Sequence, residues 1–81
     1  MLSTLNLMDS RTSVFLDKLS RRLVALRRAA NVTQEKLAEK ADMDRVALAN
    51  IETGRRRPTV TTVHKIALAL NIKVEDVFKG L

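Results

Sequence analysis

The 81-residue chain carries 15 lysines and arginines against 9 aspartates and glutamates, which gives a formal net charge of +6 at pH 7. This length predicts a single domain, whose small core must be helical and well packed or shared with a partner. The absence of cysteine excludes disulfide bonds and thiolate metal sites, and no apolar run reaches the length of a membrane span. We therefore expect a soluble cytoplasmic protein, and the basic excess favours a polyanionic partner.

The first ten residues differ in composition from the rest of the chain. They contain no basic residue, and Leu2, Leu5 and Met8 recur every three positions. A short amphipathic turn and a loosely ordered terminus explain this pattern equally well, and an ordered turn would suit contact with a second subunit. We accordingly divide the chain into an N-terminal arm at residues 1–10, ordered or partly disordered, and a helical domain at residues 11–81.

A first helix is predicted to begin between Asp9 and Ser13 and to end near Ala30. Its apolar residues step by three and four positions, which places them on one stripe typical of a core helix. The members of this stripe are Leu16, Leu19, Leu23, Leu26 and Ala30. Arg27 lies beside the stripe rather than opposite it, so Arg27 needs a carboxylate partner if it is partly buried.

A pair of short helices is predicted next. The side-chain oxygen of Thr33 can cap the first of them, and Glu35 lies at its positive end. The apolar residues of this helix share one face and are Leu37, Ala38 and Ala41. A tight turn follows, because the apolar run is interrupted at Asp42.

Asp44 can cap the second helix of the pair, which should run from Arg45 to about Thr53. Its apolar character is carried by Val46, Ala47, Leu48 and Ile51. Gly54 follows at the position where a left-handed residue commonly ends a helix. Neither helix has enough apolar surface to stand alone, so the two must cross steeply in helix-turn-helix geometry.

The next segment is predicted to be an exposed basic loop. Arg55, Arg56 and Arg57 precede Pro58, and a residue before proline is held in extended geometry, so this run cannot continue a helix. A charge run is most often only a solvated loop. Its position directly after the second helix of the pair nevertheless favours contact with nucleic-acid phosphates.

Two further helices complete the predicted domain. One should run from a cap at Thr59 to Leu70, and the last from Val74 to Lys79, with two acidic residues in its first turn. The fourth helix is expected to bury Val60, Val63, Ile66, Ala67 and Leu70. The C-terminal segment holds more apolar groups than so short an element needs, so some should cover the core and the remainder should meet a symmetry mate.

The motif T-Q-x-x-L-A, continuing to I-E-x-G-x-x-x-P, resembles the Cro/cI-type (Xre-like) helix-turn-helix family. The matching residues are Thr33-Gln34, Leu37-Ala38, Ile51-Glu52, Gly54 and Pro58. The resemblance covers roughly residues 19–79, and the motifs are specific as a set although each alone is weak. It implies an all-α, five-helix lambda-repressor-like helix-turn-helix domain that binds double-stranded DNA.

The resemblance also implies roles for individual residues. It implies a structural ion pair between Arg27 and Glu52 and a phosphate contact by Gln34. In helix-turn-helix domains the early residues of the second helix reach base edges, and here the predicted base-contacting residues are Arg45, Val46, Ala49 and Asn50. A phosphate contact by Arg45 remains open as an alternative. The predicted phosphate-contacting residues are Thr33, Gln34, Thr53, Arg55, Arg56 and Arg57.

One such module offers too few contacts for a unique genomic site, so we expect a homodimer that reads a palindrome. The predicted dimer interface consists of Val74, Val77, Phe78 and Leu81. The expected function is sequence-specific transcription regulation, as in phage-type repressors or restriction–modification controllers. The alternative is an antitoxin-like module that neutralises a partner protein through Leu2, Leu5, Met8 and Phe78 and regulates its own operon.

The sequence predicts no catalytic site, no metal site and no cofactor. His64 is the single histidine, and two glycines cannot build a glycine-rich phosphate loop. Because His64 falls within the apolar pattern of the fourth helix without companion ligands nearby, a packing or surface role is favoured. Two phenylalanines without tryptophan or tyrosine leave little to stack on unpaired bases, which disfavours an RNA-binding adaptor.

Overall fold

The computed structural model describes the backbone of residues 2–81 and the side chains of residues 9–81. This part of the chain contains five α-helices and no strand. They are α1 (Leu2–Ala29), α2 (Gln34–Lys40), α3 (Arg45–Glu52), α4 (Val60–Ala69) and α5 (Val74–Phe78). The predicted all-α, five-helix class is confirmed. Contacts with a second subunit or a partner protein were predicted for Leu2, Leu5 and Met8. The side chains of these residues lie outside the part of the chain that the structure describes.

Helix α1 begins at Leu2, earlier than the predicted start between Asp9 and Ser13. The sequence contains neither glycine nor proline before Gly54, so nothing local ends the helix within its first turns. At its other end Ala30 is exposed and lies just beyond the helix, so its predicted place on the apolar stripe is wrong.

The core is shared by all five helices. Each contributes at least one side chain that is less than 2% exposed: Leu23 from α1, Leu37 from α2, Leu48 from α3, Ile66 from α4 and Val77 from α5. Burying a side chain of this size stabilises the fold by about 1.5–3 kcal/mol relative to leaving it in water. No single helix could bury its apolar face alone, so the small domain depends on this common contact.

The ends of the short helices follow the predicted local chemistry. Thr33 and Thr59 cap α2 and α4, each accepting the backbone N–H three residues further on at 3.1 Å. Asp44 caps α3, where one carboxylate oxygen accepts two backbone N–H groups at 3.1 and 3.2 Å. Gly54 has a φ of +79°, the left-handed conformation expected after α3.

Two apolar residues occupy places that differ from the predictions. Val60 is 85% exposed rather than buried, because it is the first residue of α4 and precedes the turns that face the core. Val77 is 0% exposed within a single copy of the chain, so its predicted role as a dimer contact is wrong. Its side chain already packs in the monomer core and leaves no surface for a partner.

Candidate nucleic-acid interface

Helices α2 and α3 are joined by a tight turn at residues 41–44. Asp42 adopts a positive φ of +53°, a conformation that aspartate tolerates better than most residues. The backbone N–H of Met43 donates to the carbonyl oxygen of Ala38 at 2.9 Å, which closes the turn, and the Met43 side chain packs against the core. This turn fixes the direction in which α3 leaves α2.

Helix α3 has one face in the core and the other towards solvent. Leu48, Ile51 and Glu52 are buried. The predicted base-contacting residues share the opposite face: Arg45 and Val46 are exposed, and Ala49 and Asn50 are half-buried. Spacing by four keeps these residues in adjacent rows, so they form one outward surface along the helix.

The buried end of α3 is held by an ion pair. Arg27 Nε donates to Glu52 Oε2 at 2.7 Å and Arg27 Nη2 donates to Glu52 Oε1 at 3.0 Å, a two-pronged contact. The two side chains are only 12% and 3% exposed. Arg27 Nη1 also donates to the carbonyl oxygen of Val32 at 2.9 Å. The contact therefore connects α1 and the segment before α2 to the last turn of α3.

Gln34 takes part in the same network, which the sequence did not indicate. Its Nε2 donates to Glu52 Oε1 at 2.9 Å, so one of its two amide N–H groups is committed within the protein. The predicted phosphate contact of Gln34 stays a prediction, and it would use the remaining N–H. In this arrangement Gln34 also links the first residue of α2 to α3.

Two polar contacts of α1 were missed by sequence reasoning. Ser20 is 7% exposed and its Oγ donates to the carbonyl oxygen of Ile51 at 2.9 Å. Arg22 donates through Nε and Nη2 to the carbonyl oxygen of Asp76, at 3.2 and 2.7 Å. Helix α1 thereby orients both α3 and α5, and the only sequence signal was a serine among the core positions of the first helix.

The arginine loop, residues 55–57, follows Gly54 and folds back on the end of α3. The backbone N–H of Arg56 donates to the carbonyl oxygen of Asn50 at 3.1 Å. All three arginine side chains are exposed. Among the described side chains, ion pairs join only Arg27 to Glu52 and Lys36 to Glu39, so the loop presents its charges to solvent.

The remaining predicted phosphate contacts are hydroxyl groups at helix ends. Thr33 is exposed, and its oxygen caps α2 while its hydroxyl hydrogen stays available to a phosphate. Thr53 is also exposed, but its hydroxyl donates to the carbonyl oxygen of Ala49 at 3.0 Å. A phosphate contact by Thr53 would therefore compete with this bond.

The described residues contain neither a cluster of metal ligands nor a membrane-spanning helix. Residues 9–81 contain no group of three or more metal-ligating side chains, and His64 is exposed. No helix in the described part of the chain combines the length and the apolar character needed to cross a membrane.

The part of the chain that contains α2 and α3 matches a known protein family. A helix-turn-helix family model matches residues 23–77. The immunity repressor protein of Bacillus phage phi105 is 41% identical over 56 residues, which are 69% of this chain and 39% of the repressor. Control protein C.BamHI of Bacillus amyloliquefaciens is 36% identical over 47 residues, 58% of each chain. The chain thus spans less than two thirds of either relative.

The fold is also found in a solved structure. The crystal structure of the restriction–modification controller protein C.AhdI from Aeromonas hydrophila superposes with a TM-score of 0.75 at 35% sequence identity. The match covers 78% of this chain and 96% of the controller chain.

Proposed function

Because the chain belongs to the Cro/cI-type (Xre-like) helix-turn-helix family of DNA-binding transcription regulators, we propose that it binds a specific double-stranded DNA sequence as a homodimer on a palindromic operator. The main support is the two-faced character of α3. Leu48, Ile51 and Glu52 lock one face into the domain, which leaves the face that starts at Arg45 and Val46 open to a duplex.

The dimensions and chemistry of this face fit the major groove. A helix with its side chains is about 10–12 Å across, close to the groove width of about 12 Å. Arg45 can donate two hydrogen bonds to guanine, Asn50 can pair with adenine or a phosphate, and Val46 or Ala49 can touch a thymine methyl group. Each good two-pronged contact discriminates between bases by about 1–3 kcal/mol.

Contacts to the DNA backbone would come from the arginine loop and from Thr33, Gln34 and Thr53. Each neutralised phosphate contributes about −0.9 to the slope of log affinity against log salt concentration. If each subunit neutralises roughly three or more phosphates, the dimer should show a slope of about −5 or steeper. A titration with little salt dependence would contradict this assignment.

A dimer would bring the α3 helices of both subunits to one side of the duplex. The candidate contacts on α5 and the C-terminus are Val74, Phe78 and Leu81, of which Phe78 is 38% exposed and the others are half-buried. A two-fold axis through this surface would double the base and phosphate contacts and demand half-sites about one helical turn apart. The similarity to a phage immunity repressor and to restriction–modification controllers supports both versions of this proposal.

Selection of bound fragments from randomised duplex DNA tests the proposal directly. The expected result is an enriched palindromic motif whose two halves are spaced by about one helical turn. Recovery of sequences with no common motif would overturn sequence-specific binding, and a single motif without symmetry would overturn the homodimer.

A second candidate is the antitoxin-like module that binds a partner protein. It is favoured by an exposed apolar surface in which the rings of Phe15 and Phe78 lie parallel, their centroids 6.4 Å apart, with Val14 exposed on the same helix as Phe15. Sedimentation of wild type and Phe78→Ser separates the candidates. Loss of a dimer in Phe78→Ser supports the homodimer, whereas a wild-type monomer that still binds DNA favours a foreign partner for this surface.

A further inference from the structure

A small cleft of about 110 Å³ lies between α1 and the arginine loop. It is bordered by Asp17 and Ser20 on one side and by Gly54, Arg56 and Arg57 on the other. Asp17 Oδ1 lies 3.7 Å from the position that a Cβ would occupy on Gly54, so the carboxylate faces the start of the loop. The most basic segment of the domain thus has an acidic group beside it.

Asp17 lies near the two arginines without pairing with them. It lies beside the end of α3, where helix dipoles place a partial negative charge. Among the described side chains Asp17 forms no ion pair, and it is exposed. Arg56 and Arg57 border the same cleft but form no ion pair with Asp17, so all three charges stay open to solvent.

We propose that Asp17 is an affinity-setting residue that repels the DNA phosphates bound by the arginine loop. This inference rests on the proposed function, because it assumes that the loop binds phosphates. A phosphate held by Arg56 or Arg57 would approach the Asp17 carboxylate, and the two anions would repel each other. Since this repulsion involves no base edge, Asp17 weakens binding to every duplex alike and leaves base preference unchanged.

The size of the effect follows from Coulomb's law. At about 10 mM salt, a phosphate about 7 Å from the carboxylate in a water-like dielectric is repelled enough to lower affinity by about twofold per subunit. Two subunits on one duplex would give about fivefold. Removing the charge without changing the shape, as in Asp17→Asn, should therefore tighten dimer binding at this salt concentration by about fivefold on operator and random duplex alike.

Asp9→Asn is the matched control. Asp9 is exposed on the same helix and the substitution changes the charge equally, but it lies eight residues earlier, about 12 Å along the helix axis. Fluorescence anisotropy with a labelled random-sequence duplex and with the selected operator measures both variants, after thermal melts confirm equal folding. Asp9→Asn should bind within about twofold of wild type, because the repulsion falls with distance and is screened by salt.

A double-mutant cycle tests the mechanism. In a background of Arg56→Ala with Arg57→Ala, the gain from Asp17→Asn should fall below about twofold, because no phosphate is then held near the carboxylate. Asp17→Asn that binds no more tightly than wild type, or no more tightly than Asp9→Asn, would overturn the inference, as would a gain that persists without the arginines. Failure of the wild type to bind any duplex would instead overturn the proposed function.

Discussion

The contact between Arg27 and Glu52 makes a quantitative prediction about stability. Replacing Arg27 by methionine leaves a carboxylate that is 3% exposed with a single hydrogen bond, from Gln34. Breaking a buried ion pair by removing one partner costs about 3–5 kcal/mol. An 81-residue domain has about 4–12 kcal/mol of total stability, so Arg27→Met should remove a large share of it.

The double variant Arg27→Met with Glu52→Met should be more stable than Arg27→Met alone. It removes both charges and replaces them by apolar groups of similar volume, a change that is often neutral in other proteins. Urea denaturation followed by circular dichroism at 222 nm gives the free energies of unfolding, and the four proteins form a double-mutant cycle. The coupling energy should be at least about 2 kcal/mol.

The exposed pair Lys36 and Glu39 provides the matched control. Its atoms are 3.5 Å apart, but its side chains are 56% and 70% exposed. Exposed pairs of this kind contribute about 1 kcal/mol or less, so the same methionine cycle should show little coupling. Equal coupling in the two cycles, or a cost below about 1 kcal/mol for Arg27→Met, would refute the reasoning from burial.

Three further tests of the fold each measure the free energy of unfolding in urea. Leu48→Ala, at a side chain that is 0% exposed, should cost about 2–5 kcal/mol, whereas Leu68→Ala at 64% exposure should stay within about 0.5 kcal/mol; similar values would contradict the assigned core. Gly54→Ala should cost about 1–2 kcal/mol because its φ is +79° although space for a Cβ exists; no cost would refute the left-handed helix end. Thr59→Ala should cost about 0.5–2 kcal/mol through loss of the α4 cap, and Thr59→Ser should restore most of it.

Local features of this fold could be predicted from the sequence. The caps at Thr33, Asp44 and Thr59 and the left-handed Gly54 depend on residues within four positions, and such chemistry is visible in the chain order. The outward face of α3 was assigned from the helix-turn-helix resemblance, since the apolar pattern of α3 included the exposed Val46. Helical periodicity did not locate the start of α1, and it wrongly counted Val60 among the buried residues.

Contacts between distant segments could not be predicted from residue types alone. The bond from Ser20 to Ile51 joins residues 31 positions apart, and that from Arg22 to Asp76 joins residues 54 apart. Serine and arginine are common on exposed helix faces, so neither residue signals a partner. Glu52 was matched to Arg27 only through the family resemblance, and the additional bond from Gln34 became visible only in three dimensions.

The central claim is that α3 contacts the bases whereas the arginine loop contacts the phosphates. One binding measurement tests this claim most directly. Wild type, Arg45→Ala and Arg56→Ala are titrated against a panel of operators that carries every single base change. Arg45→Ala should lose preference at one base position in each half-site, whereas Arg56→Ala should weaken binding to all sequences by a similar factor. If both variants lost affinity uniformly, or both changed base preference at the same position, the assignment of α3 as the base-reading element would be contradicted.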